Sequence, residues 1–215
     1  VLTSSSSAYG VHTTRISEKT ASNALSTGMS YHETKYLAEQ ELKKAVGRGL
    51  NAVTVNPCNI IGPYDLRNWS QLIINVCKGR MPGYPPGSGT FAHVRNIADA
   101  HIAAAEKGRT GENYLLGGIE AGFKDVIDEI GRVTGNTLSL KTISKNKLKT
   151  AMVLSSVKAV FTRKEPFLSY PKYMRLVGNL SCDNSKAVKE LGFKTESISK
   201  MVADCYQWLT KEGYL

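Results

Sequence analysis

Short runs of β-forming residues alternate along the chain with longer stretches in which apolar residues return every three or four positions. Val1–Ser4, Asn51–Asn56, Phe91–Val94, Asn113–Leu116 and Leu138–Ile143 read as strands. Tyr31–Val46, Trp69–Lys78, Asn96–Lys107, Phe123–Thr134, Lys145–Phe161, Asn184–Leu191 and Ser197–Lys211 read as helices. That alternation predicts an α/β chain with βαβ units and a mostly parallel sheet. In the first helix Ala38, Leu42 and Ala45 share one face, and the same stripe run backwards reaches Lys35 and Tyr31. Asn96 and Asn184 are expected N-caps, and Gly108, Gly135, Gly192 and Gly213 are expected stops. Met81–Thr90 holds Pro82, Pro85, Pro86 and three glycines, so a loop is expected there, a candidate lid or substrate loop.

Composition narrows the class. At 215 residues, 41% hydrophobic and 21% charged, the chain has the make-up of a globular protein and enough length to bury a core. No window approaches a membrane-spanning run, because even Ala151–Phe161 is broken by Ser155, Ser156 and Lys158. The four cysteines, Cys58, Cys77, Cys182 and Cys205, form no Cys-x-x-Cys pair and have no histidine at metal-ligand spacing, which predicts a reduced, cytoplasmic protein without a metal site. The chain opens on a strand-like run with no charged and apolar leader, so it reads as lacking its own beginning.

The net charge of +10 is concentrated. Lys141–Arg175 contains nine basic residues and one acid, a local +8 that leaves +2 for the rest. No helix-turn-helix, zinc finger or aromatic-basic motif accompanies it, so nucleic acid is not an expected partner. The segment reads as a solvated basic face or as a surface for an anionic substrate or acidic partner.

Chemistry is offered first by Tyr31 and Lys35. Their i,i+4 spacing on a helix brings an ammonium near a phenol, and a nearby cation favours the phenolate and makes the tyrosine a usable proton donor and acceptor. The residue counts alone would give about one such pair by chance, so the spacing decides little by itself. Context adds weight. Ser4-Ser5-Ser6-Ser7 close the strand ahead of it and offer a hydroxyl for a developing oxyanion, although a polar, helix-capping turn is an equal reading. Asn56-Pro57 close the strand behind it. His93 follows the flexible loop and reads as a hydrogen-bonded structural histidine before a substrate group.

In this order the motifs resemble the extended short-chain dehydrogenase/reductases, in the branch of dihydroflavonol reductase and the 3β-hydroxysteroid dehydrogenases. Thr3-Ser4-Ser5, Tyr31-His32-Glu33-Thr34-Lys35 and Val55-Asn56-Pro57-Cys58-Asn59-Ile60-Ile61-Gly62-Pro63 carry the resemblance. So do Phe91-Ala92-His93-Val94-Arg95-Asn96-Ile97-Ala98-Asp99-Ala100-His101, Gly111–Gly118 and Asn184–Phe193. It implies a Rossmann-like doubly wound parallel sheet, here its C-terminal part, with a smaller mixed α/β substrate-binding region. Residues 1–62 then belong to the dinucleotide-binding domain and 63–215 mainly to the substrate region, with 91–107 returning to the Rossmann core. Tyr31 is implied as general acid/base, Lys35 as the group that activates it and holds the nicotinamide ribose, and Ser5 as the donor to the reacting oxygen. Pro57, Asn59 and Ile60 are implied as contacts to the nicotinamide end.

The implied reaction is hydride transfer between NAD(P) and a small-molecule carbonyl or secondary alcohol, with NADPH favoured over NADH. Sugar-nucleotide epimerisation or dehydration is the alternative within enzymes. A non-catalytic scaffold using Lys141–Arg175, with Leu148, Met152 and Ala159 among lysines, is the alternative outside them. Residues 1–215 contain no glycine-rich pyrophosphate turn. Roughly 110–130 residues of the family pattern precede the matching segments. A further N-terminal segment or a companion chain is therefore expected. Asn96 and Thr34 depart from the family's usual Asp and Ser. A homodimer through the Tyr31 helix and its neighbour is the family's habit.

Overall fold

The computed structural model describes residues 1–215. Six strands and eight α-helices follow in the order β1 (Leu2–Thr3), α1 (Ser30–Gly47), β2 (Thr54–Pro57), β3 (Asn59–Ile61), α2 (Trp69–Cys77), β4 (Ser88–His93) and α3 (Val94–Lys107). Then come β5 (Asn113–Leu116), β6 (Ile119–Gly122), α4 (Phe123–Thr134), α5 (Lys145–Thr162), α6 (Tyr170–Val177), α7 (Ser185–Leu191) and α8 (Ile198–Lys211). The α/β class and the parallel pairing expected from the alternation are present.

The strands form two three-stranded sheets. β1, β2 and β5 are all parallel, with Thr3 opposite Val55 and Pro57 opposite Leu116. β3 and β4 run parallel, and β6 joins β4 antiparallel. The chain passes from the first sheet to the second twice, at Cys58 between β2 and β3 and at Gly117-Gly118 between β5 and β6. Gly118 must be a glycine, since a Cβ there would lie 1.8 Å from the Phe91 carbonyl oxygen.

The second sheet is a wall between two cores. Phe91 and Ile61 belong to one, with Ile73, Val76, Phe123, Ile127, Ile130, Met201 and Leu209 from α2, α4 and α8. Their sequence neighbours Ala92 and Ile60 face the other, formed by Val53, Val55, Ala100, Ala104, Tyr114, Leu116, Ala187, Leu191 and Phe193. The two-residue periodicity of a strand gives this partition directly. Trp69 closes the first core with its ring edge-on to Phe91, centroids 4.8 Å apart.

Several expectations are corrected. Leu138–Ile143 is not a strand: it touches its neighbour through a single bridge, Tyr84 to Thr142, because Pro82, Pro85 and Pro86 deny that neighbour the donors and backbone angles of a ladder. The Met81–Thr90 loop ends early, as Ser88–Thr90 already belong to β4. β3 and β6 went unread because β3 follows β2 after a single residue and β6, Ile-Glu-Ala-Gly, has one β-branched residue and no apolar run, and α6 begins with Pro171 in its first turn where a breaker reading conceals it.

Asn96 is not an N-cap, because α3 starts at Val94 and His93 caps it, its Nδ1 accepting the Arg95 N–H at 3.0 Å. The Asn96 amide instead donates to the Lys194 carbonyl. Asn184 does occupy the cap position of α7, without a side-chain bond to the helix. The apolar stripe of α1 is corrected too: Ala38 is exposed, and the one buried side chain of the helix is Glu39.

Candidate active site

α1 sets Tyr31 and Lys35 one turn apart at its N-terminal end, packed beside the 3-10 turn Ser6–Tyr9 that follows β1. The Lys35 Nζ donates to the Thr3 carbonyl at 3.1 Å, and lies 5.9 Å from the Tyr31 ring centroid. One N–H of the ammonium is thereby used, and two remain to donate elsewhere. The Tyr31 side of this arrangement is open to solvent, with the residue 53% exposed. Thr3 is held from the other side by α3, its hydroxyl 3.0 Å from His101 Nε2.

Ser5 is buried and serves as the N-cap of the serine turn, its Oγ accepting the Ser7 N–H at 3.1 Å. The helix-capping reading of the serine run is thus met by Ser5. The Oγ accepts as a cap, and its own proton remains free to donate. The Ser5 carbonyl accepts from Asn56 Nδ2 at 3.1 Å, which ties the serine turn to the end of β2.

Beneath these groups lies a network that sequence reasoning missed. Glu39, only 5% exposed, accepts from Ser4 Oγ at 2.5 Å and Asn56 Nδ2 at 2.6 Å on one carboxylate oxygen, and from Asn113 Nδ2 at 2.9 Å on the other. The carboxylate thus joins α1 to the ends of β1 and β2 and to the start of β5, fixing the helix that carries Tyr31 and Lys35. The available signal was spacing, since Tyr31, Lys35 and Glu39 follow one another at intervals of four. A glutamate on that stripe was hidden by the alanines beside it. The same carboxylate, after burial, contributes to pushing the Tyr9 hydroxyl far above the ordinary tyrosine range.

Pro57 ends β2, while Asn59 and Ile60 open β3. The Asn59 side-chain amide donates to the Thr90 carbonyl at 3.1 Å, and Ile60 packs on the second core. These residues leave the parallel strands at the same end as Ser5, the carboxyl end of β1 and β2 where α/β sheets bind ligands. His32, next to Tyr31, has a buried Nδ1 without a partner, and burial first, with Arg175 second, lowers its basicity. His93 is structural: its Nδ1 accepts from a backbone N–H, so its Nε2 carries the proton and donates to Asp204 at 3.1 Å. A cleft of about 220 Å³ beside α3 and α7, lined by Asn96, Asp99, Leu191, Phe193 and Lys194, includes none of the predicted site residues.

Comparison with known proteins connects this geometry to a family. Residues 1–117, which contain Ser5, Tyr31, Lys35 and the β2–β3 passage, match the sequence model of the NAD dependent epimerase/dehydratase family. The protein designated dihydroflavonol 4-reductase in Synechocystis sp. is 30% identical over 193 residues, covering 86% of this chain and 56% of that protein. Sterol demethylase protein B of Methylococcus capsulatus is 27% identical over 192 residues, covering 87% and 58%. The chain therefore spans little more than half the length of these relatives. Among solved structures, that of gox2253 superposes with a TM-score of 0.83 at 26% identity, over 99% of this chain and 66% of that one. A nucleoside-diphosphate-sugar epimerase from Pseudomonas aeruginosa follows the same fold, with a TM-score of 0.78 at 23% identity over 99% and 67%. With its fold, its parallel-strand ends and the segment that carries Tyr31 and Lys35 all matched, the chain belongs to the NAD dependent epimerase/dehydratase family.

Proposed function

We propose that this chain forms the proton-transfer half of an NAD(P)-dependent oxidoreductase acting on the carbonyl or secondary alcohol of a small molecule. The observation that carries the reading is the Lys35 ammonium, held on the Thr3 carbonyl one helical turn from an open Tyr31. Residues 1–62 are assigned to the dinucleotide-binding domain and 63–215 mainly to the substrate region, with 91–107 in the dinucleotide-binding core.

The donor set suits a nicotinamide cofactor. Two uncommitted N–H groups on Lys35 match ribose hydroxyls, and the strand ends at Pro57, Asn59 and Ile60 offer backbone and apolar contacts to a flat ring. When bound, the cofactor supplies or takes up the hydride at the substrate carbon. In the reducing direction the Tyr31 hydroxyl gives its proton to the substrate oxygen as charge develops there. Lys35 offsets the negative charge left on the phenolic oxygen. The free Ser5 proton donates to the same substrate oxygen, from a turn whose position Asn56 and Glu39 fix. Reduction is the favoured direction, supported by the reductase designation of the Synechocystis relative, and NADPH is the reductant we propose for it.

The test uses the full protein that carries this chain. NADPH oxidation is followed with ketone and aldehyde substrates in the parent and in Tyr31→Phe. The substitution is expected to lower kcat by about 10²–10⁴-fold, the usual worth of a positioned acid/base. Because Tyr31 is half exposed, the unfolding midpoint should stay unchanged. Parent-like turnover in Tyr31→Phe overturns the role given to this residue.

A further inference from the structure

Cysteines scattered along the sequence are brought together in one place. Cys58 and Cys182, separated by 124 positions, have their sulfurs 2.9 Å apart. A disulfide needs about 2.05 Å, so less than an ångström of side-chain movement closes the gap. The location has a mechanical meaning. Cys58 alone makes up the first of the two passages from the first sheet to the second, between β2 and β3. Cys182 lies on the segment that leads into α7, which the backbone bonds from Ile16 N to Ser181 O and from Asp183 N to Ile16 O hold in place. Its Cβ rests against Gly117, at the other passage between the sheets, where an added Cβ would come within 3.3 Å of it.

The two thiols have different environments. Cys182 is 1% exposed and packs with Tyr9, Ile16 and Leu115, whereas Cys58 is half-buried. Contact with Cys58, followed by burial, pushes the Cys182 thiol well above its ordinary value. Burial also raises the thiols of Cys77 and Cys205, the latter to about 12, and neither meets another cysteine.

We propose that Cys58 and Cys182 form a reversible cystine site, oxidised by low-molecular-weight disulfides, that pins the junction of the two sheets to the segment ahead of α7. The Cys58 thiolate attacks one sulfur of the small disulfide, forming a mixed disulfide and releasing one small thiolate. Cys182 then attacks Cys58 Sγ as its proton leaves. The protein Sγ–Sγ bond forms, the mixed disulfide breaks and a second small thiol departs. Two cysteines are oxidised by two electrons in all, and one small disulfide is reduced to two thiols. The order follows from access, because the reagent reaches only the half-buried partner.

The full chain, incubated with oxidised glutathione, is unfolded, alkylated and weighed intact, then digested. The expected result is two protected thiols out of four, a mass lower by two hydrogens before alkylation, and one cross-linked peptide pair containing Cys58 and Cys182. The thermal midpoint should rise by several degrees, because the new bond closes a long loop in the unfolded chain, and fall back on adding dithiothreitol. Cys58→Ser should abolish both the cross-link and the rise while leaving the reduced protein's midpoint within about 2 °C of the parent. Separate glutathione adducts without a cross-link, four alkylated thiols after oxidation, or a rise that persists in Cys58→Ser each overturn the proposal.

Discussion

Glu39 shows how much can rest on one side chain. Its carboxylate is the shared acceptor for Ser4, Asn56 and Asn113, and replacing it with alanine leaves three donors facing a void. Each unsatisfied buried donor costs about 1–3 kcal/mol, partly relieved if water enters. Glu39→Ala is therefore expected to lose about 3 kcal/mol in urea unfolding. Glu39→Gln keeps the shape but turns an N–H₂ toward donors, so its expected loss is smaller than that of alanine but still measurable. Activity should fall in both variants, since Glu39 fixes the helix under Tyr31 and Lys35, and a loss in kcat with KM preserved separates positioning from substrate binding. Equal stability of parent and Glu39→Ala refutes the role of the network.

Among the elements, the start of α2 is set by bonds local in sequence. Its entry is organised by Asp65, whose carboxylate accepts the N–H groups of Arg67, Asn68 and Ser70 at 2.9–3.1 Å. Burial alone raises its pKa, but these backbone bonds outweigh that and hold the carboxyl below the usual aspartate value. A depressed folded pKa contributes stability that is fully present above the unfolded value near 3.9 and is lost as pH falls through the folded one. Urea midpoints should consequently fall below about pH 4, and Asp65→Asn should flatten part of that fall while lowering the midpoint at pH 7. An unchanged pH profile in the variant argues against the carboxylate as the capping group. At the β5–β6 passage, Gly118→Ala is expected to destabilise by more than an ordinary surface change, because the new methyl meets the Phe91 backbone. A parent-like midpoint in that variant would show that the two sheets can shift apart at no cost.

Both cores share the β3–β4–β6 sheet as a wall, and that sharing predicts cooperative behaviour of the whole chain. Phe91→Ala removes a fully buried ring from one core, and its expected cost is about 3–5 kcal/mol. Since Ala92 on the same strand faces the other core, loss of helical circular dichroism and of tryptophan signal should coincide in urea. Two separate transitions would instead show that the cores unfold independently. By itself the amino-acid pattern settled the elements held by local bonds. α4 lies at Phe123–Thr134 as expected, α5 begins at Lys145, and Tyr31 and Lys35 share a helix end. Helices close their hydrogen bonds four residues apart, so local spacing and caps specify them. β5 was also legible, as an apolar run bounded by polar and glycine residues. The positions of β1, β2 and β4 were legible too, with ends shifted by one to three residues, whereas β3, β6 and the fate of Leu138–Ile143 depended on partners distant in sequence. Pairing confined Leu138–Ile143 to one bridge, made strands of Asn59–Ile61 and Ile119–Gly122, and divided the strands between two sheets. Only tertiary structure buried Glu39 rather than Ala38 and set Cys58 against Cys182, because each outcome depends on which distant segment packs there.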